Sequence, residues 1–240
     1  MKQVQQKPAN ERLADVELFK ELSKIELTRV AEAGRLKKIP DGSFFFQEGD
    51  PASNIYILIE GKVRLSQVTQ EGQQVILRYV VPVEAFGILA VLTDQHFHVS
   101  AQAVGESTAL TWDRDSMNFL MTQIPQIARN SIAILAGRIK EFQDKLRELA
   151  TERVERRIAR TLLRFVRQAG RKVPEGVLID LPLSRQDLAE MTGTTLFTVS
   201  RTLSSWETQG IVKSSRERII ITFPHGLVRI AEDLRPQGSE

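Results

Sequence analysis

Hydrophobic positions in the first half of the chain predict one helix followed by many short strands. Residues 16–35 place apolar side chains at helical spacing, and this pattern stops near Gly34 and the Pro-Asp-Gly turn at residues 40–42. From residue 43 to residue 113 the apolar positions form short β-type runs that glycines separate. Such a series predicts a small barrel or jelly roll, although a domain of this kind need not bind any ligand.

A second helical pattern follows Pro125 and carries an apolar residue alternately every four and every three positions. Its members are Ala128, Ile132, Leu135, Ile139, Phe142, Leu146 and Leu149. This spacing, sustained over about three heptads with charged flanks, is typical of a coiled coil. We therefore predict that the stripe joins two copies of the chain; the alternative is a helix that buries it within its own domain.

Two short helices separated by a glycine are predicted between residues 184 and 210. Ser184 is a good N-cap with Asp187 three positions later, and Gly193 then ends the first helix. The second helix spans residues 195–209. The internal positions of the pair are Leu188, Ala189, Val199, Leu203 and Trp206. This pattern predicts a helix-turn-helix, although a helix pair with a glycine turn can also form without binding DNA.

The first turns of the second helix supply candidate DNA contacts, because that part of a recognition helix enters the major groove. The exposed side chains there are Thr195, Leu196, Phe197, Thr198, Ser200 and Arg201. Arg201 can offer a bidentate fork to a guanine edge, while Thr195, Thr198 and Ser184 can bond phosphates. Two apolar runs then bracket residues 213–218, which predicts a wing whose cations are Lys213, Arg216 and Arg218.

The charge distribution agrees with a polyanionic partner for the C-terminal third of the chain. The whole chain has a net charge of only +3, but residues 151–222 hold 13 Lys and Arg against 8 Asp and Glu, a balance of +5. A basic region that coincides with a helix-turn-helix pattern favours double-stranded DNA as the partner.

Other features of composition exclude several classes of site. The chain has no cysteine, which removes disulfides, thiolate-ligated iron–sulfur clusters and cysteine zinc sites. No apolar run approaches 18 residues, so we expect no membrane association and a cytoplasmic location. With three histidines, no glycine-rich phosphate loop and no nucleophile constellation, the sequence predicts that the protein is not an enzyme.

The motifs in combination resemble the CRP/FNR family of bacterial transcription regulators. Residues 40–50 (PDGSFFFQEGD) and 55–63 (IYILIEGKV) are similar to the cyclic-nucleotide-type β-roll of that family, and residues 184–186 and 195–201 to its helix-turn-helix. The resemblance implies an α+β fold. Its parts would be an effector-sensing β-roll (a double-stranded jelly roll) over residues 1–125, a coiled-coil dimerisation helix over 126–150 and a winged helix-turn-helix domain over 151–240.

The resemblance also implies a mechanism. An effector that enters the β-roll would change the packing of the dimer helices and re-aim two recognition helices, one helical turn of DNA apart, at a near-palindromic operator. RNA polymerase would be a further partner. The matching positions carry over as DNA contacts at Arg185, Thr195, Thr198 and Arg201, and Ser184 and Gln186 of the same motif are further candidate contacts.

One departure from the family concerns base reading. The family usually has a glutamate, which reads a C·G pair, at the position that Phe197 occupies here. A phenyl ring cannot accept a hydrogen bond from a cytosine amino group, but it can pack on a thymine methyl group. We therefore predict an altered half-site at that base pair.

A second departure concerns the effector pocket, whose candidate residues are Gly87, Ile88, Leu89, His98 and Val99. A cyclic-nucleotide pocket of this family uses a Gly-Glu pair for the ribose and an Arg-Ser pair for the cyclic phosphate. Ile88 replaces the glutamate, and the second pair falls near His98 and Val99. A cyclic phosphate needs a fixed cation and hydrogen-bond donors, so we expect no tight binding of cAMP.

The identity of the effector stays open at the level of sequence. Haem is one alternative, with His96 or His98 as the axial ligand of its iron, although two histidines in a loop also suit a polar surface. A cyclic-nucleotide-binding regulatory module is another, but such a module would keep the phosphate cradle and lack the winged helix-turn-helix. Other small ligands, or no ligand, are equally compatible with these residues.

Overall fold

The computed structural model describes residues 12–72, 74–93 and 96–233. Their contacts divide the chain into two units. One contains the residues up to 67 together with 77–141, and the other contains residues 68–76 together with those from 142 onward. Residues 1–11 and 234–240, the outer ends of the first and third predicted domains, lie outside the described residues. None of the described helices is long and apolar enough to cross a bilayer.

The prediction of a single helix over residues 16–35 is wrong. A 3₁₀ helix, Glu17–Phe19, is followed by Glu21 with a φ of 67°, a conformation that interrupts a right-handed helix. Helix α1, Lys24–Ala33, then starts afresh because Ser23 and Glu26 form a capping box, with distances of 3.3 and 2.7 Å. The residues after Gly34 belong to the first strand.

The β-type region forms the jelly roll that the sequence predicts. Eight strands make two four-stranded sheets in the orders β1-β8-β3-β6 and β2-β7-β4-β5. The strands are β1 Arg35–Ile39, β2 Phe44–Phe46, β3 Asn54–Glu60, β4 Val63–Val68, β5 Gln74–Val80, β6 Ala85–Phe86, β7 Ser100–Ala103 and β8 Ser107–Asp113. Helix α2, Ile88–Leu92, lies between β6 and β7.

Strand β3 separates two hydrophobic cores, because successive side chains of a strand point to opposite faces. Ile55 and Ile57 belong to a core that includes Trp112 and apolar residues of the helices. Tyr56 and Leu58 belong to the interior of the roll. The aromatic members of that interior are Phe45, Phe46, Tyr56, Phe86 and Phe97.

Two helices follow the roll: α3, Arg114–Gln123, and α4, Pro125–Thr151. The 27 residues of α4 correspond to a length of about 40 Å. In its first half, Ile127 and Ile134 are buried in the core of their own unit, so this helix has an inner face that is distinct from the heptad stripe.

Among the described residues, the second unit contains the end of α4, four further helices and a four-stranded sheet. The helices are α5 Val154–Ala169, α6 Arg185–Thr192, α7 Leu196–Thr208 and α8 Pro224–Glu232; the strands are β9 Gly170–Val173, β10 Gly176–Ile179, β11 Val212–Ser215 and β12 Arg218–Ile221. The sheet order is β11-β12-β10-β9. The predicted wing, β11–β12, is therefore extended by β10, which pairs with β12.

Candidate nucleic-acid interface and β-roll interior

The first helix of the helix-turn-helix starts at the cap that the sequence predicts. Ser184 Oγ accepts from the backbone N–H of Asp187 at 3.0 Å, and Asp187 Oδ2 accepts from the backbone N–H of Ser184 at 2.8 Å. This reciprocal capping box satisfies two amide groups that would otherwise lack partners at the start of α6. It also fixes the positions of Arg185 and Gln186, the first two residues of the helix.

The turn between α6 and α7 depends on Gly193. This residue has a φ of 60° and a ψ of 49°, the left-handed conformation in which a side chain is strained. Thr195 then caps α7, since its Oγ1 accepts from the backbone N–H of Thr198 at 3.2 Å and lies 3.0 Å from the Thr198 hydroxyl. Helix α7 therefore begins at the position that the sequence predicts.

The predicted internal positions of the two helices hold them together. Their side chains are all buried: Leu188, Ala189, Val199, Leu203 and Trp206. The remaining face of α7 near its N-terminus is open. Phe197 is 74% exposed and Leu196 is 48% exposed, Arg201 is exposed, and Thr198 and Ser200 are half-buried. The phenyl ring of Phe197 is therefore open to solvent on the face that is predicted to enter the major groove.

Arg185 is engaged within its own domain. Its Nη2 donates to Ser214 Oγ at 3.1 Å, and Glu207 Oε2 lies 3.9 Å from the same nitrogen. Glu207 Oε1 also accepts from the backbone N–H of Ser214 at 2.9 Å. This network joins the start of α6, the second half of α7 and strand β11, so Arg185 helps to set the wing against the recognition helix.

The wing carries its three cations on exposed positions. Lys213 lies on β11, Arg218 begins β12 and Arg216 is at the tip beside Glu217, which has a φ of 56°. Gln186 is also exposed, at the start of α6. Together with Arg201, these side chains give the domain a set of exposed cations and an amide donor of the kind that binds phosphate oxygens.

The interior of the β-roll is filled by aromatic rings at the place where the effector pocket is predicted. Phe97 is 3% exposed and stacks on Phe46, with ring centroids 3.6 Å apart at 11°. Tyr56 stacks on Phe86 at 5.0 Å. A Cβ placed on Gly87, which has a φ of 80°, would lie 3.3 Å from the Phe97 ring, so that ring occupies the space beside this glycine.

Other predicted pocket residues are arranged around this cluster but do not all face it. Ile88 is buried and Val99 is half-buried, whereas Leu89 is 51% exposed and His98 is exposed. Phe97 is the loop side chain that enters the roll. The prediction that His98 lines the pocket is wrong, because His98 is exposed. His96 is also exposed and forms an isolated bridge with Pro51. Among the described residues no cluster of three or more His, Cys, Asp or Glu could hold a metal ion.

Burial changes the acid–base behaviour of the aromatic cluster. Desolvation, with a further contribution from the charge of Asp50, raises the pKa of Tyr56 to about 12. Lys37 Nζ lies 5.5 Å from the centre of the Tyr56 ring and donates to the carbonyl of Phe45 at 3.4 Å. Arg64 Nη2 donates to Gln102 Oε1 at 2.6 Å, so this arginine is engaged with the sheet.

The heptad stripe on α4 is largely exposed in the protomer. The exposed fractions are 67% for Ile132, 60% for Ile139, 68% for Phe142, 59% for Leu146 and 41% for Leu149. Ala128 and Leu135 are half-buried, and Leu135 also packs against the core of its own unit. Most of the stripe is therefore not covered by the chain's own described residues, contrary to the alternative of burial within one domain.

Comparison with known proteins identifies both units. A cyclic nucleotide-binding domain model matches residues 36–123, and a Crp-like helix-turn-helix domain model matches residues 156–230. The chain is 30% identical over 196 residues to the cyclic AMP receptor protein of Thermus thermophilus, covering 82% of this chain and 88% of that protein. The chain belongs to the CRP/FNR family of transcription regulators. This confirms the resemblance, the fold class and the assignment as a DNA-binding transcription regulator with an effector-binding type of N-terminal domain.

Other CRP/FNR proteins show the breadth of the similarity. The global nitrogen regulator of Synechococcus elongatus is 28% identical over 216 residues, covering 88% of this chain and 97% of that protein. The structure of FixK2 from Bradyrhizobium japonicum superposes with a TM-score of 0.72 at 25% identity, covering 86% of this chain and 99% of the other. DNA binding and homodimerisation follow from membership of the family.

Two features of the site were not predicted from the sequence. The side chain of Phe97 enters the roll, whereas the sequence suggested its neighbours His96 and His98 as candidate ligands. Glu207 and Ser214 hold Arg185, although they are 22 and 29 positions away from it. The position of Phe97 could have been suggested by an isolated phenylalanine between two histidines in a polar loop. The contacts of Arg185 are long-range and leave no local signal in the sequence.

Proposed function

We propose that two copies of this chain pair along α4 and read a near-palindromic operator with the N-terminal half of α7. The observation that carries this proposal is the open face of α7, where Phe197 and Arg201 are exposed beside a basic wing. Arg201 reads a guanine edge, and Phe197 packs on a thymine methyl group. Thr198, Ser200 and the wing cations bind the backbone and fix the register.

The stripe on α4 supports the pairing of two copies. An exposed apolar row with alternating spacings of four and three matches the a and d positions of a coiled coil. Pairing would remove Ile132, Ile139, Phe142 and Leu146 from water and place the two recognition helices about a two-fold axis. Such symmetry calls for inverted half-sites one helical turn apart.

The β-roll of this chain is proposed not to take cAMP. Phe97 occupies the space beside Gly87, and Ile88 stands where the family's cyclic-nucleotide pocket has a glutamate. A cyclic phosphate would have to displace a stacked ring into water, and His98 and Val99 stand where the family's pocket supplies an arginine and a serine. Calorimetry with cAMP should therefore detect no binding, and an affinity in the micromolar range would refute this part of the proposal.

The remaining partners follow from the role of a regulator. The protein would act in the cytoplasm, where a bacterial chromosome lies, and would contact RNA polymerase when bound at a promoter. Haem is not proposed, because both histidines that could ligate its iron are exposed while the adjacent interior is filled by Phe97.

The direct test is duplex binding measured by fluorescence anisotropy at several salt concentrations. We expect the affinity to fall steeply with salt, with a slope that reports the number of phosphates neutralised. Arg201→Ala should weaken binding to a selected operator by about tenfold or more and relax base preference at one position. Arg29→Ala is the matched control, since Arg29 is an exposed arginine of the N-terminal unit. Equal binding by both variants would contradict the assignment of α7.

A further inference from the structure

One arginine side chain connects two backbone segments next to the helix-turn-helix. Arg157 lies in the first turns of α5 and is half-buried. Its Nη1 donates to the carbonyl of Glu152 at 2.9 Å, its Nε to the carbonyl of Thr192 at 3.0 Å and its Nη2 to the carbonyl of Gly193 at 3.3 Å. The three acceptors therefore belong to the junction between α4 and α5 and to the turn between α6 and α7.

The carbonyls at the turn require such a donor. The last carbonyl groups of a helix have no partner within it, and the C-terminal end of the helix dipole favours a cation. Thr192 is the last residue of α6, and Gly193 is its left-handed cap. The guanidinium group is planar, so hydrogen bonds from three of its donors fix the direction of both segments at once.

A second set of contacts links the end of α4 to the same region. Arg164 Nη1 on α5 lies 2.9 Å from both carboxylate oxygens of Glu148, which is 5% exposed. A Cβ placed on Gly193 would lie 2.9 Å from Leu149 Cδ2, so the leucine side chain packs directly on the turn. The end of α4 is thus held to α5 by an ion pair whose carboxylate is buried, and it touches the turn before α7.

We propose that Arg157 is a positioning residue for DNA recognition. It fastens the turn before α7 to the end of the dimerisation helix, so that the orientation of the recognition helix follows that of α4 without any contact between Arg157 and DNA. Since all three acceptors are backbone carbonyls, substitution of Arg157 removes these hydrogen bonds without changing any acceptor, while the contact of Leu149 with the turn remains. The proposal rests on α7 being the helix that reads DNA.

The test compares Arg157→Met and Arg157→Lys with Arg167→Met, which removes one charge from an exposed position of the same helix. Binding is measured to a selected operator and to an unrelated duplex over a range of salt. Arg157→Met should weaken operator binding by roughly tenfold, the scale of losing hydrogen bonds from a charged donor. Binding to the unrelated duplex and the salt slope should match those of Arg167→Met, and Arg157→Lys should recover part of the loss.

Hydrogen exchange provides a local readout in the same variants. Without the guanidinium group, amides of residues 192–195 should exchange faster in Arg157→Met, while those of the β-roll keep their wild-type rates. Titration with operator at high concentration counts the active protein, so that a loss through misfolding is separated from a loss of affinity.

Two results would overturn the proposal. If the salt slope of Arg157→Met falls by about one relative to Arg167→Met, Arg157 contacts a phosphate itself. If operator affinity and exchange at the turn are unchanged, Arg157 does not position the recognition helix. Failure of the proposed function is distinguishable, because Arg201→Ala would then leave operator binding intact as well.

Discussion

The aromatic filling of the β-roll predicts a large stability loss in the variant Phe97→Ala. The phenyl ring is 3% exposed, stacks on Phe46 at 3.6 Å and lies beside Gly87. The backbone of Phe97 is also hydrogen-bonded to the turn that contains Gly49 and Asp50. Its N–H donates to the carbonyl of Asp50, and its carbonyl accepts from the N–H of Gly49. These backbone hydrogen bonds remain in Phe97→Ala, so the loss of stability measures the contribution of the phenyl ring.

The size of the effect follows from the burial of the ring. Replacing a fully buried phenylalanine by alanine costs about 3–5 kcal/mol, of which the aromatic pair supplies about 0.5–1.5 kcal/mol. With a urea dependence of about 2 kcal/mol per molar, a loss of about 4 kcal/mol lowers the unfolding midpoint by about 2 M. Phe97→Leu should lose less than half as much unfolding free energy as Phe97→Ala, because it leaves a smaller cavity.

Urea denaturation followed by tryptophan fluorescence measures this loss. Trp112 belongs to the same unit as Phe97, whereas Trp206 is on α7, so a Trp206→Phe background restricts the signal to the N-terminal unit. Phe119→Ala is the matched control, because that ring is 65% exposed and should cost little. Benzene should restore part of the stability of Phe97→Ala by filling the cavity. A loss below about 1 kcal/mol, equal to that of the control, would refute the packing argument.

Three further predictions concern pairing, capping and pH. Phe142→Glu should convert the dimer to monomers in sedimentation experiments, because it places a charge in the apolar seam. Phe119→Glu, at a similarly exposed ring, should leave the dimer intact. A dimer that persists in Phe142→Glu would exclude this stripe as the dimer interface. Ser184→Ala should cost about 1 kcal/mol of unfolding free energy, measured by thermal denaturation, whereas Ser184→Thr should keep the cap; equal losses in the two would argue against the capping role. The raised pKa of Tyr56 means that folding favours its neutral form, so this contribution is complete below pH 10 and is lost as the pH rises toward 12. Tyr56→Phe should remove that alkaline loss in denaturation curves measured across this window, and an unchanged pH dependence would contradict it.

The elements that the sequence predicts best are those fixed by short-range signals. Ser184, Asp187 and Gly193 determine where α6 begins and ends through bonds that span only a few residues. The alternating strands of the roll are equally local, because their turns and apolar runs follow one another along the chain. The heptad stripe also persists in the structure as an exposed row, although α4 has a second, buried face as well.

Features that depend on contacts between distant segments were not predictable from the same signals. The helical spacing of residues 16–35 gave no sign that Glu21 adopts a left-handed conformation or that Ser23 starts a new helix. Strand β9 and helix α8 were missed because their residues gain order from pairing with β10 and packing on α5. Likewise, the three bonds of Arg157 join segments that lie up to 36 residues from it.

We propose that two copies of α7 read inverted half-sites with Phe197 in place of the family's glutamate. In-vitro selection from a pool of randomised duplexes, performed with the wild type and with Phe197→Glu, tests it most directly. We expect an inverted repeat with half-sites one helical turn apart for both proteins, and thymine rather than cytosine at one base pair of each half-site for the wild type. In Phe197→Glu the preference at that pair should change to cytosine. Selection of cytosine by the wild type, or of sequences without two-fold symmetry, would contradict the account.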